Sequence, residues 1–468
     1  LMEGYFKVPD ILIQTMAQIV GAKNVITGHE EMASYTGDES PTSKPHYPDI
    51  VVKPGDTAEV AAVLALANQN KIAVTPRGAG TGISGGAVPI KGGIVLSMER
   101  MNRILEIDAD NFVVVTQPGV RLMDLCQAVE AEGLYYPLYP GEKSAFIGGN
   151  VATNAGGMRA VRYGVTRSFV LGLEAVLSTG QIVRTGGKYV KCSTGYDLTQ
   201  LLIGSEGTLA VITEVILKLS TPPGMREVLW VPFTSLQQAI KTVPQILKTG
   251  VPVIGLEFLE KDIIDMIEQY LERKIPFSEN PAFLLVILEG ATSDEVYESA
   301  NRISEVCTTN GAVDVYIPTG EHAKRELLEA REKMFPAIRR YDPIEVVDAV
   351  VPRSRIADFV SHVKGISIRY KISITAPGHA GDGNVHLHLM GKGIAPDEWE
   401  SKVPEMMNEI YSAAVAMGGT ISGEHGIGYE KKKYLHIAMD EHKIDLMRRV
   451  KAAFDPNCIL NPGKVFDL

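Results

Sequence analysis

Pro76-Arg-Gly-Ala-Gly-Thr-Gly-Ile-Ser-Gly-Gly86 is the stretch on which the reading of this chain turns. Five glycines in eleven residues uncover successive backbone N–H groups and allow positive φ, the geometry of an anion-binding nest suited to a diphosphate. Within it, Gly80-Thr-Gly-Ile-Ser-Gly85 satisfies G-x-G-x-x-G and follows a strand-like run at 71–75, which invites a Rossmann reading. That reading requires the glycines to open a helix whose N-terminus faces the pyrophosphate. Here Gly86 leads instead into Ala-Val-Pro-Ile-Lys-Gly-Gly and a second β-like run at 94–98. Pro89, Gly92 and Gly93 exclude a crossover helix, so the cradle belongs to another kind of fold.

Two further segments share its character. Residues 141–157 (Gly-Glu-Lys-Ser-Ala-Phe-Ile-Gly-Gly-Asn-Val-Ala-Thr-Asn-Ala-Gly-Gly) and 204–209 (Gly-Ser-Glu-Gly-Thr-Leu) mix Gly with small hydrogen-bonding residues. Such residues let backbone approach a large polar cofactor closely. Three segments spread over the first half imply one extended ligand touched from several loops.

The 468 residues suffice for two or three domains, and 45% hydrophobic with 22% charged residues is the balance of an ordinary globular protein. A net charge of -10 argues against a general nucleic-acid or anionic-membrane surface. The four cysteines form no C-x-x-C pair, so neither a zinc ribbon nor an iron–sulfur cluster is expected. Reduced thiols, no signal-peptide pattern and no apolar run of membrane-spanning length lead us to expect a cytoplasmic protein without a transmembrane segment.

Periodicity predicts helices at 8–20, 58–69 and 121–132, strands at 49–53, 72–75, 93–98, 104–108 and 112–116, a hairpin of 170–177 with 181–184, and a strand at 211–219. Thr221-Pro-Pro-Gly224 reads as a domain boundary. Beyond it strands at 227–232, 253–258, 283–289, 313–317 and 345–351 alternate with helices at 236–248, 261–272, 294–308, 321–340 and 354–367. The expected class is α+β, with a cofactor domain at 1–220, a substrate cap at 221–416 and a closing segment at 417–468.

A second chemical cluster lies late in the chain. Pro377-Gly-His-Ala-Gly-Asp-Gly-Asn-Val-His-Leu-His-Leu-Met390 and Gly423-Glu-His-Gly426 hold four of the ten histidines. Neutral imidazoles with one carboxylate suit a divalent transition metal and leave positions for substrate. On a strand His386 and His388 share a face, so spacing leaves open which pair ligates; a hydrogen-bonded core strand is the alternative.

Taken together, these segments resemble the vanillyl-alcohol-oxidase, or PCMH-type, FAD flavoproteins. The stretch 378–386 followed by Gly423-Glu-His-Gly426 is similar to the signature of their D-2-hydroxyacid dehydrogenase branch, which includes D-lactate and D-2-hydroxyglutarate dehydrogenases and the glycolate oxidase catalytic subunit. The resemblance runs from the cradle to the Asn461-Pro-Gly-Lys464 ending. It implies a PCMH-type FAD domain, a ferredoxin-like α/β cap and a C-terminal segment returning to the FAD domain. It also implies His379, His386 and Glu424 as ligands of one divalent metal (iron, zinc or manganese), His425 as catalytic base and Arg331 as the holder of the substrate carboxylate. Some relatives carry a lysine just before the strand ending at Val351; Glu345 and Val346 stand there instead, which favours a small acid.

Relatives that bind FAD covalently use a histidine, often in the cradle, and this cradle has none, so non-covalent FAD is expected. Its expected contacts are Pro76, Arg77, Gly78, Ala79, Gly80, Thr81, Gly82 and Ser84, then Pro140, Gly141, Ser144, Gly148, Gly149, Asn154, Gly157 and Gly164, and finally Glu206, Gly207, Ile212 and Asn461. The implied function is oxidation of a small D-2-hydroxy acid, D-lactate foremost, with an electron-transferring flavoprotein as partner. Alternatives are a glycolate oxidase catalytic subunit, a non-redox flavin transferase and an accessory flavin subunit.

Overall fold

The structure is a computed structural model that describes residues 5–467. The chain forms two compact units: one holds the chain up to Ala155, Val165–Pro222 and everything from Glu424 on, and the other holds Gly156–Gly164 and Pro223–Gly423.

The first unit is built on two sheets. Strands β1 (Val25–Ile26), β2 (Ile50–Val52), β3 (Val74–Arg77) and β4 (Ile94–Ser97) lie in the order β1-β2-β4-β3, with β2 and β3 both parallel to β4. Parallel neighbours need a crossover. Helix Thr57–Gln69 carries the chain from β2 past β4 to β3, capped by Asp56, whose carboxylate accepts the Glu59 N–H at 2.9 Å. Its Val60, Val63 and Leu64 share one core with Ile50, Ile72 and Ile94. Strand β3 runs straight into the cradle, and no helix intervenes before β4, as its prolines and glycines require. The outer edge of β3 is covered by the C-terminal segment: Val74 donates to Ile459 O at 2.8 Å and Asn461 donates back to Val74 O at 2.7 Å.

In the second sheet β5 (Ile104–Asp108), β6 (Val113–Thr116), β7 (Val170–Val176), β8 (Ile182–Gly186) and β9 (Val211–Lys218) run antiparallel in the order β5-β6-β9-β7-β8. The second glycine-rich segment is not all loop, because Ile147–Thr153 forms a helix.

The second unit carries one antiparallel sheet of seven strands. These are β10 (Met225–Phe233), β11 (Val253–Glu260), β12 (Ala282–Gly290), β13 (Ile344–Val350), β14 (Ser373–Thr375), β15 (Gly378–His379) and β16 (Asn384–Met390). Their order is β10-β12-β11-β15-β16-β13, with β14 on β16. Nearly every residue of β11, β12 and β16 is buried, so a carboxylate or imidazole on them needs an internal partner.

Two expectations need correction. Residues 313–317 form no strand, only single bridges from Ala312 to Phe233 and from Tyr316 to Trp230. The long helix at 321–340 divides into Gly320–Glu332 and Met334–Ile338, because Pro336 has no N–H to extend the ladder back to Glu332.

Candidate active site

Sheet register brings the chemistry of the second unit together. Glu257 of β11 is the direct partner of His379 on β15, and Asp348 of β13 is the direct partner of His386 on β16. Each imidazole thus faces a carboxylate across the ladder. Gly378 lets β15 lie close against β16, since a Cβ there would meet Asn384 O at 2.2 Å.

His379 Nδ1 lies 2.5 Å from Glu257 Oε1, and His386 Nδ1 lies 3.6 Å from Asp348 Oδ1. The two rings meet edge to face, with centroids 4.9 Å apart. Arg331, in the last turn of helix Gly320–Glu332, donates Nε and Nη2 to Glu257 Oε2 at 2.9 and 2.7 Å. Burial pushes the Glu257 carboxyl up, but the fields and hydrogen bonds of His379 and Arg331 outweigh it and hold the group down to about 2. Asp348 is fully buried and accepts from Asn384 Nδ2 at 2.7 Å, Ser422 Oγ at 3.0 Å and Gly423 N at 2.8 Å. The His379 imidazole, whose Nδ1 is taken by a carboxylate, presents Nε2, a donor of the kind that a divalent transition metal accepts. His388 is buried two residues along β16, with its ring 6.0 Å from that of Phe335. Gly157 and Gly164 lie in the short segment Gly156–Gly164 that belongs to this unit.

The remaining expected residues lie in the first unit, where many side chains hold the cradle in shape. Arg77 donates to the carbonyls of Ser34 and Gly37, and Ser84 Oγ donates to the His425 carbonyl at 3.0 Å. Glu206 accepts the N–H groups of Ile427 and Gly428, both at 2.8 Å. Asn461 donates to Gly86 O and Glu206 O at 3.0 and 2.7 Å. Asn154 accepts the Arg167 N–H at 2.9 Å, while Ser144 is exposed and bonds Glu142. Glu424 and His425 begin the return to this unit, one and two peptide bonds beyond Gly423. Behind the cradle, burial raises Glu206 and Asp38 and lowers Lys464 to about 7.

Sequence reasoning missed Glu257 and Asp348. The available signal was an acid flanked on both sides by apolar residues within a strand, Ile254-Gly-Leu-Glu257-Phe-Leu and Val346-Val-Asp348-Ala-Val, where a charge survives only with a partner.

Residues 48–186 match the family described as "FAD binding domain", and residues 222–465 match "FAD linked oxidases, C-terminal domain". The solved structure of p-cresol methylhydroxylase with substrate bound superposes with a TM-score of 0.82 at 17% identity, covering 98% of this chain and 97% of that one. The fold is therefore the PCMH-type α+β flavoprotein fold. A D-lactate dehydrogenase of Anaerostipes hadrus is 40% identical, with 98% of each chain covered. The glycolate oxidase subunit GlcD of Bacillus subtilis is 39% identical over 97% of this chain and 96% of that one. The chain belongs to the FAD-linked oxidoreductases of the D-lactate dehydrogenase and glycolate oxidase family. No helix among the described residues is long and apolar enough to cross a membrane.

Proposed function

We propose that the protein oxidises a small D-2-hydroxy acid, D-lactate foremost, to the 2-oxo acid. The observation that carries this reading is the pair of carboxylate-backed imidazoles, with Arg331 anchored on one of the same carboxylates, in a chain of this family. FAD, held without a covalent bond, would supply the two-electron acceptor for the hydride. A divalent metal held by His379, His386 and Glu424 would supply a Lewis acid that makes the substrate hydroxyl more acidic.

The chain's own residues do the rest. His379 offers Nε2 because Glu257 holds its Nδ1, and His386 lies beside the Asp348 carboxylate. Glu424 follows Gly423, whose N–H is fixed on Asp348, so its Cα lies about 3.8 Å from an anchored one. Arg331 donates to the substrate carboxylate. His425 takes the hydroxyl proton as the α-hydrogen leaves with its electron pair, so O–H and C–H bonds break and a C=O bond forms. The partner proposed to receive the electrons is an electron-transferring flavoprotein. Glycolate is the second reading, favoured by the similarity to GlcD.

Steady-state turnover with an artificial acceptor tests the substrate. D-lactate is expected to give the highest kcat/KM among D-lactate, L-lactate, glycolate and D-2-hydroxyglutarate; preference for glycolate would move the assignment to the second reading.

A further inference from the structure

Glu257 is 1% exposed and uses both carboxylate oxygens on different partners: Oε1 faces His379 Nδ1, and Oε2 takes two nitrogens of Arg331. These partners come from different elements, His379 from β15 and Arg331 from the end of a helix 48 positions earlier in the chain (379 − 331). One buried anion therefore fixes both an expected metal ligand and the expected substrate clamp. We propose that Glu257 is a positioning residue that couples the metal ligand His379 to Arg331 and leaves Arg331 its end-on Nη1/Nη2 edge for a monocarboxylate substrate. The inference rests on the functional reading above.

A carboxylate accepting Nδ1–H sets the tautomer that presents Nε2 and raises its basicity, which strengthens metal binding. A guanidinium usually recognises a carboxylate through a two-nitrogen fork. In Arg331 the Nε/Nη2 edge is already on Glu257, so the end-on edge, Nη1 with the second hydrogen of Nη2, is what remains for a substrate carboxylate. Glu257 also cancels the Arg331 charge. The attraction that draws an anionic acid into the site then falls to the metal, and Arg331 contributes direction.

The test compares Glu257→Gln and Arg331→Leu with the wild-type holoenzyme, reading Zn2+ retention against a competing chelator and, separately, KM and kcat for D-lactate. Glu257→Gln should weaken Zn2+ binding by about 10- to 100-fold and raise KM, because the single amide oxygen cannot serve both His379 and Arg331 and the NH2 must face one of these two donors. Arg331→Leu should raise KM but leave Zn2+ retention within about threefold, since Glu257 remains on His379. A folded Glu257→Gln protein that holds Zn2+ and D-lactate as the wild type does would overturn the proposal.

If Glu257→Gln does not fold, the 15N-histidine spectrum of the wild-type protein decides. The His379 resonance, assigned by its loss in His379→Gln, should show a protonated Nδ1; a bare Nδ1 overturns the proposal. The Zn2+ and tautomer readouts need no substrate. Failure of every acid to reduce the wild-type flavin would therefore sink the functional reading while leaving these to judge Glu257.

Discussion

Gly423 donates its backbone N–H to the Asp348 carboxylate at 2.8 Å, and the same buried group also accepts from Ser422 and Asn384. Asparagine at 348 keeps one acceptor oxygen and turns an NH2 toward groups that are themselves donors. Asp348→Asn should therefore lose about 1–3 kcal/mol of stability in urea unfolding and retain Zn2+ less well. An unchanged urea midpoint would show that these three donors find other acceptors.

His425 contributes to the cradle through its carbonyl, which accepts from Ser84 Oγ at 3.0 Å. Alanine preserves that bond and removes only the imidazole. His425→Ala should purify with its flavin spectrum intact, while the rate of anaerobic flavin reduction by D-lactate falls about 10²- to 10⁴-fold. Reduction at the wild-type rate would remove His425 from the role of base.

Gly428 has φ +55°, and a Cβ there would lie 1.9 Å from Ser84 O, a backbone atom of the cradle. Its N–H is also bound to Glu206 at 2.8 Å. Gly428→Ala must push the C-terminal segment off the cradle, so the flavin-to-protein ratio should fall well below that of the wild type, along with the Tm. A fully flavinated variant with wild-type Tm would separate that contact from FAD retention.

Burial lowers the Lys464 ammonium from 10.5 to about 7, against the opposing pull of Asp38 and Glu206. Between those two values the unfolded chain holds a proton that the folded chain lacks. The penalty for burying this charge is thus fully present below pH 7 and is relieved as pH rises, by at most about 1.4 kcal/mol per pH unit. The stability of wild type minus Lys464→Met, from denaturant melts at several pH values above neutrality, should increase with pH; a flat difference would mean that Lys464 stays charged when folded.

Much of the framework was legible locally. The hairpin of β7 and β8 follows from alternation around Thr179-Gly180, and helix Leu236–Lys248 from 3.6-residue periodicity. The exclusion of a Rossmann unit followed from what comes after the cradle. Helix Ile147–Thr153 was hidden because Gly148 and Gly149 each cost about 1 kcal/mol of helix propensity, which tertiary packing overrides. The histidines of the site announced themselves by density, whereas Glu257 meets His379 122 positions away, a pairing written in sheet register and in no local pattern.

The most direct test of the account is anaerobic. The flavin spectrum of the purified holoprotein is recorded, D-lactate, L-lactate, glycolate and D-2-hydroxyglutarate are added to separate samples, and the series is repeated after chelation and again after Zn2+, Mn2+ or Fe2+ is restored. The account predicts that D-lactate bleaches the oxidised flavin, that chelation abolishes the bleaching and that a divalent metal brings it back. Bound flavin that no 2-hydroxy acid reduces would contradict it, and with it the roles given to His379, His386, Glu424 and His425.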